Sequence, residues 1–219
     1  MQQTSPGIRA VAFDFGGVLA HFIEESTLCH MADAAGVASE AFSAALWEHR
    51  ADYDRGALDA GAYWGAVLDG CGSVEPREAT AEALLELDSI GWSRINPATL
   101  RWARALKQHG YRTLIISNMA APTYDMVIRD QLWMKHFEYV IISGWIGINK
   151  PDPGIFRRAT SDLGLKPSEV LFVDDTPRNV AGARAAGLHA LGFTDPDSLA
   201  AELAEQFPAV PIAGLVCRW

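Results

Sequence analysis

From about residue 97 onward this 219-residue chain repeats one cycle: a helix-compatible stretch opened by a capping residue and a proline, a glycine stop, then a short apolar run. Asn96-Pro97 opens the first helix. An Asn side chain accepts from a free amide of the first turn, and Pro suits the first helical position because no partner is lost there. Gly110 stands where a helix ends in a left-handed residue, and YRTLIIS follows as a strand. The spacing then predicts a helix near 122–134, a strand near 138–142, a helix near 153–163 stopped at Gly164, and the strand EVLFV. Thr176-Pro177 opens one more helix, which Gly187 stops before the strand HALGF. With IRAVAF near the start, about five strands alternate with helices. That order predicts an α/β fold, a doubly wound parallel sheet of Rossmann-like type.

Residues 22–92 break the cycle. Helix-compatible stretches occur around 24–35, 39–50, 59–69 and 76–89, with no convincing strand among them. The expected organisation is therefore a core of residues 1–21 and 93–219 interrupted by a helical cap of residues 22–92. A cap inserted after the first strand lies beside the carboxyl ends of the strands, where ligands bind in such folds. The connections near 20–22 and 92–96 are the expected pivots.

Composition narrows the class. A hydrophobic fraction of 49% supports a substantial core, and a net charge of −9 argues against a general affinity for nucleic acid or for an anionic membrane, both of which require clustered Lys and Arg. No segment approaches a membrane span, and MQQTSPGIRA has no basic stretch leading into an apolar one. Cys29, Cys71 and Cys217 are odd in number and far apart, which suggests neither a disulfide framework nor a zinc site. A cytoplasmic protein with reduced thiols is expected.

Four polar signatures end apolar strands in chain order: Asp14 after VAF, Ser117-Asn118 after TLII, Lys150 after VIISGWIGIN, and Asp174-Asp175 after VLFV. Asp14 precedes Gly16-Gly17, a pair that lets backbone turn sharply and approach a ligand. Taken singly, each has an ordinary alternative: a turn-capping Asp, a helix-starting Ser-Asn pair, a solvated loop lysine. Asp174-Asp175 is the stronger signal, because two adjacent acids repel unless a cation lies between them. Together, a carboxylate nucleophile, a hydroxyl and amide, a lysine and two more acids are what metal-assisted phosphoryl transfer requires.

The segments FDFGGVL (13–19), IISNM (115–119), NKPDPGIF (149–156) and LFVDDTPRNVAGARAAG (171–187) resemble the haloacid dehalogenase superfamily, in the branch with a helical cap after the first strand. The resemblance implies that Asp14 attacks phosphorus, that Ser117 and Lys150 act in catalysis and hold the transferring group with Phe15 and Asn118, and that Asp14, the Gly16 carbonyl, Asp174 and Asp175 hold Mg2+. Asn179 is a candidate partner of these acids or of Lys150. The implied activity is hydrolysis of a small phosphorylated metabolite through an aspartyl phosphate.

Position 16 departs from that pattern. Phosphatases of the superfamily usually carry there a second aspartate that protonates the leaving oxygen and later activates water, and this chain has glycine. Loss of such a group costs about 10²- to 10⁴-fold in rate. Three outcomes stay open: an enzyme that is slow or is confined to good leaving groups such as acyl phosphates or sugar-1-phosphates, a substitute group for which His21 is a candidate, or a phosphate-binding protein without turnover. A phosphomutase is disfavoured by the missing group, and a dehalogenase, which needs no metal, by the acid pair. The cap offers Trp47, Tyr53, Arg55, Tyr63 and Trp64, with YDRG at 53–56 able to reach the site entrance. Those aromatics are expected mainly as cap core.

Overall fold

The structure is a computed structural model, and it describes residues 7–216. Cys217 lies outside the described residues. Five parallel strands, β1 (Ala10–Phe13), β2 (Arg112–Ser117), β3 (Tyr139–Ile142), β4 (Val170–Asp174) and β5 (His189–Gly192), form one sheet in the order β3-β2-β1-β4-β5. The strand β1 is central: Ala10 is level with Arg112 on one side and Val170 on the other, and Phe13 with Ile115 and Val173. Strand order reverses between β1 and β4, which opens a crevice at their carboxyl ends.

Every β1 side chain is fully buried, because helices cover both faces. Val11 and Phe13, with Ile115, Leu171 and Val173, pack on α6 (Pro97–Gln108) and α11 (Pro196–Gln206) through Trp102, Leu106, Leu199 and Leu203. Ala10 and Ala12, with Leu114, Ile116 and Phe172, pack on α9 (Pro153–Asp162) and α10 (Pro177–Ala185) through Phe156, Ala159 and Ala183. The period of two along each strand thus sorts its residues into two cores.

The helix starts follow their caps in part. Asn96 accepts from the Ala98 amide at 3.1 Å, and Asp195 before Pro196 accepts from the Ser198 amide at 2.9 Å. That second signal marks α11, which follows the last strand expected from the sequence. Thr176 makes no side-chain cap; its amide instead donates to Asp174 Oδ1 at 2.8 Å.

The single helix expected near 122–134 is instead α7 (Ala121–Val127), a break, and a 3-10 turn at Leu132–His136. The break lets Trp133 stack on Phe15 and Phe137 meet Phe13 edge to face, with centroids 6.4 and 5.8 Å apart. Burying these rings outweighs continuing a solvent-facing helix.

Between β1 and α6 run α1 (Glu25–Ala34), α2 (Ser39–Glu48), α3 (Arg50–Asp54), α4 (Ala60–Cys71) and α5 (Arg77–Gly91). The stretch expected as a helix over 39–50 forms α2 to Glu48, and after His49 the short α3 begins at Arg50. These helices share an apolar cluster that includes Met31, Phe42, Leu46, Tyr53, Tyr63, Trp64 and Leu84. A short helix, α8 (Ser143–Ile146), follows β3 and lies under α3.

Candidate active site

The carboxyl ends of β1, β2 and β4 deliver Asp14, Ser117-Asn118 and Asp174-Asp175 to one place, and Lys150, which ends no strand because β3 stops at Ile142 and α8 intervenes, joins them from the loop after α8. Asp14 follows β1, and its amide continues the ladder to Val173 O at 2.9 Å. Three donors converge on Asp14 Oδ1: the Phe15 amide at 2.6 Å, Ser117 Oγ at 2.9 Å and Lys150 Nζ at 2.7 Å. Lys150 Nζ also reaches Asp174 Oδ2 at 2.7 Å, and its side chain is fully buried over the Phe172 ring, 5.2 Å from the centroid. Burial alone disfavours that ammonium, but Asp14 and Asp174 outweigh it and hold the lysine above its ordinary range. Burial dominates at Asp14 and raises its carboxyl to about 7, against the pull of Lys150 and Ser117.

The Asn118 side chain clamps the lysine loop: Oδ1 accepts from the Lys150 amide at 2.7 Å, and Nδ2 donates to Lys150 O at 3.1 Å. Its polar atoms are thus engaged by backbone, and the clamp fixes Lys150 relative to β2. Asn179 Nδ2 reaches both oxygens of Asp174, at 3.1 and 3.2 Å. Asp174, the last residue of β4, is completely buried.

Asp14, Asp174 and Asp175 bring carboxylate oxygens within 4.8 Å of one another. Burial, and then Asp174, pushes the Asp175 carboxyl upward. Lys150 balances one of the three charges, so the trio could hold a divalent cation. Two further observations fit an ion there. Asn179 Oδ1 is buried without a hydrogen-bond partner beside the trio. Gly17, at φ +76°, lets Asp175 pack where a Cβ would lie 2.7 Å from its Cγ.

Gly16 carries a constraint invisible in the sequence. A Cβ there would lie 2.9 Å from Cζ3 of Trp92, the residue that follows α5. The indole fills the space that a side chain at 16 would enter, so an acid introduced there must displace it. Trp92 is itself fixed: Nε1 donates to Asp88 Oδ1 at 3.3 Å, the Arg50 guanidinium lies 5.7 Å from its ring centroid, and Phe22 meets it edge to face.

A cavity of about 200 Å³ opens over Asp14, lined from the sheet side by Ser117, Asn118, Lys150 and Asp175, and from the other by Trp47, Arg50, Asp54 and Trp92. Trp47 is therefore at the cavity, whereas Tyr53, Tyr63 and Trp64 are buried among the helices and Arg55 pairs with Asp52 at the surface. His21 lies outside this lining, in a separate groove with Asp175 and Asp195. The YDRG segment does reach the cavity, through Asp54, whereas Arg50 and Trp92 were not singled out by sequence reasoning. A signal existed for Arg50, since Arg50 and Asp54 are one turn apart among aromatic residues, which marks a charge pair within an apolar setting.

The parallel sheet with its strand-end acids defines the class. Residues 8–187 match the haloacid dehalogenase-like hydrolase family, and the chain belongs to that family. It is 28% identical over 227 residues to the Bifunctional epoxide hydrolase 2 of Rattus norvegicus, covering 94% of this chain and 40% of the rat protein. It is 26% identical over 149 residues to Phosphoglycolate phosphatase 1 of Pseudomonas aeruginosa, covering 67% of this chain and 54% of that one. The chain thus spans less than two thirds of the length of these curated relatives. Among solved structures, a HAD-like family hydrolase from Porphyromonas gingivalis superposes with a TM-score of 0.68 at 26% identity, covering 85% of this chain and 91% of that one. Among the described residues no helix is long and apolar enough to cross a membrane.

Proposed function

We propose that this hydrolase is a Mg2+-dependent phosphatase of small phosphorylated metabolites that acts through an aspartyl phosphate on Asp14. The observation that carries this reading is the convergence of Asp14, Asp174 and Asp175 within 4.8 Å around one buried lysine. Three acids so close need more positive charge than Lys150 provides, whereas a dehalogenase, attacking carbon, has no use for a cation. The phosphatase among the relatives supports the same reading.

In this reading Asp14, Asp174, Asp175 and the Gly16 carbonyl hold the ion, which when bound supplies charge to the transferring phosphoryl group. Asp14 Oδ1 is held by the Phe15 amide, Ser117 and Lys150, which leaves Oδ2 as the attacking oxygen. The Asn118 amide and the third proton of Lys150 Nζ contact the phosphoryl oxygens, and the Phe15 amide and Ser117 Oγ reach them by exchanging their bonds from Asp14 Oδ1. Residues 22–92 act as a cap pivoting near 20–22 and 92–96, over a core of 1–21 and 93–219. A cavity of about 200 Å³ suits a small metabolite.

The test is a panel of phosphate esters and acyl phosphates, with Mg2+ and with a chelator, on the native chain and Asp14→Asn. Metal-dependent turnover lost in the variant supports the reading. Binding of inorganic phosphate with no turnover of any substrate would replace it with the phosphate-binding alternative.

A further inference from the structure

The cavity contains no side chain at position 16 to move a proton, and the Trp92 indole occupies the space where one would stand. Among the described residues lining the cavity, the only carboxylates are Asp14, Asp175 and Asp54, and there is no histidine, cysteine or tyrosine. The first two belong to the acid trio. By elimination, Asp54 on the opposite wall is the group able to exchange a proton with a substrate on Asp14 near neutral pH.

We propose that Asp54, supplied by the helical segment rather than by the sheet, is the catalytic acid and base of this site, in place of the side chain absent at residue 16. This proposal rests on the phosphatase reading above. Its geometry is built in at both ends of the residue. The Asp54 carbonyl accepts from Ser143 Oγ at 2.6 Å, and that hydroxyl accepts from the Met119 amide at 2.9 Å, next to Ser117-Asn118. One turn earlier, Ala51 O accepts from Asn149 Nδ2 at 2.7 Å, beside Lys150. The end of α3 is therefore latched to the two loops that carry the proposed phosphate ligands.

The carboxyl is oriented as well. Asp54 Oδ1 accepts from Arg50 Nε at 2.9 Å, while Arg50 Nη1 donates to the fully buried Asp88 at 2.8 Å. The guanidinium is packed by Trp47, Tyr53 and Trp92, each with its ring centroid 5.7 to 5.8 Å away. Arg50, Asp88 and Lys150 are the charges that act on Asp54; burial outweighs the two cations, and its carboxyl sits at about 6, suited to give and take a proton near neutrality.

The proton balance closes over two steps. As Asp14 Oδ2 bonds to phosphorus and the ester P–O bond breaks, the Asp54 carboxyl gives its proton to the departing oxygen. Asp54, now a carboxylate, takes a proton from water as the water oxygen bonds to phosphorus and the bond to Asp14 breaks. Alcohol and phosphate leave, and both aspartates are restored.

Leaving-group dependence tests the proposal in the full-length chain with Mg2+, comparing native, Asp54→Asn, Asp54→Glu and Asp14→Asn on an alkyl phosphate and on p-nitrophenyl phosphate. Nitrophenolate departs without a proton. The expected result for Asp54→Asn is a fall of about 10²-fold or more in kcat/KM for the alkyl ester, a much smaller fall for the nitrophenyl ester, and a burst of nitrophenol stoichiometric with enzyme because water is no longer activated. Asp54→Glu recovers part of the alkyl activity. Equal losses on both esters without a burst, which a merely structural role would give, overturn the proposal, as does alkyl turnover within about threefold of native. Turnover that survives Asp14→Asn, or is absent from the native chain, instead overturns the phosphatase reading and takes this proposal with it.

Discussion

Replacing Gly16 by alanine tests whether the indole of Trp92 truly excludes a side chain from that position. The new Cβ would lie 2.9 Å from Cζ3, well inside the roughly 3.5–4.0 Å of an ordinary carbon contact. The backbone at 16 is not left-handed, so the cost is steric alone. Relief by motion of the ring is opposed by Asp88, Arg50 and Phe22, which hold it in place. Overpacking of this kind costs about 1–3 kcal/mol, offset by about 0.4–1 kcal/mol from the reduced freedom of the unfolded chain. A net loss of about 0.5–2 kcal/mol follows, equivalent to a few degrees in Tm for a chain of this size.

In a Trp92→Leu background the clash is absent, so the same alanine should become neutral or stabilising by about 0.4–1 kcal/mol. Urea unfolding of the four proteins in a double-mutant cycle gives the coupling directly, expected at about 1–3 kcal/mol. A coupling near zero, with alanine costing the same in both backgrounds, would refute the packing argument. The same clash governs Gly16→Asp: in an Asp54→Asn background an added acid should restore activity on poor leaving groups only when Trp92 is also reduced in size.

Three further outcomes are expected. Lys150→Met leaves Asp14 and Asp174 buried without their cation, which should cost about 3–5 kcal/mol in urea unfolding at pH 7, with much of the loss recovered at acid pH where a carboxyl protonates. Mg2+ at about 100 times its dissociation constant should stabilise the native chain by about 2.7 kcal/mol, read as a rise in Tm, and Asp175→Asn should remove most of that rise. Because burial lifts the Asp54 carboxyl from 3.8 to about 6, the folded state holds its proton more tightly than the unfolded one. That contribution, up to about 3 kcal/mol, is complete below about pH 3.8 and is lost as pH rises through about 6. Stability profiles of metal-free native and Asp54→Asn protein should therefore diverge between those values, and parallel profiles would count against it.

The sheet was legible because its signals are local. Apolar runs mark the strands, and Asn96-Pro97 and Gly110 bound the first core helix, without reference to distant residues. For the same reason the strand-end residues could be gathered before any fold was known, since a parallel sheet must present Asp14, Ser117 and Asp174 at one edge. The helix expected over 122–134 failed because its fate depends on Phe13 and Phe15, more than a hundred residues earlier. The YDRG segment pointed to part of the cavity wall, but Arg50 and Trp92 were hidden for a similar reason. Nothing near Gly16 in sequence reveals that a tryptophan 76 positions later fills its missing side chain. Nor does YDRG itself indicate that its aspartate, and not its arginine, faces the cavity.

Rapid acid quench of the native chain during turnover of an acyl phosphate with Mg2+, followed by mass spectrometry of its peptides, tests the central claim most directly. The account predicts one phosphoryl group on the peptide containing Asp14, formed fast enough to lie on the path to product and absent from Asp14→Asn. Turnover without any phosphoryl adduct on Asp14, and persisting in the variant, would contradict it.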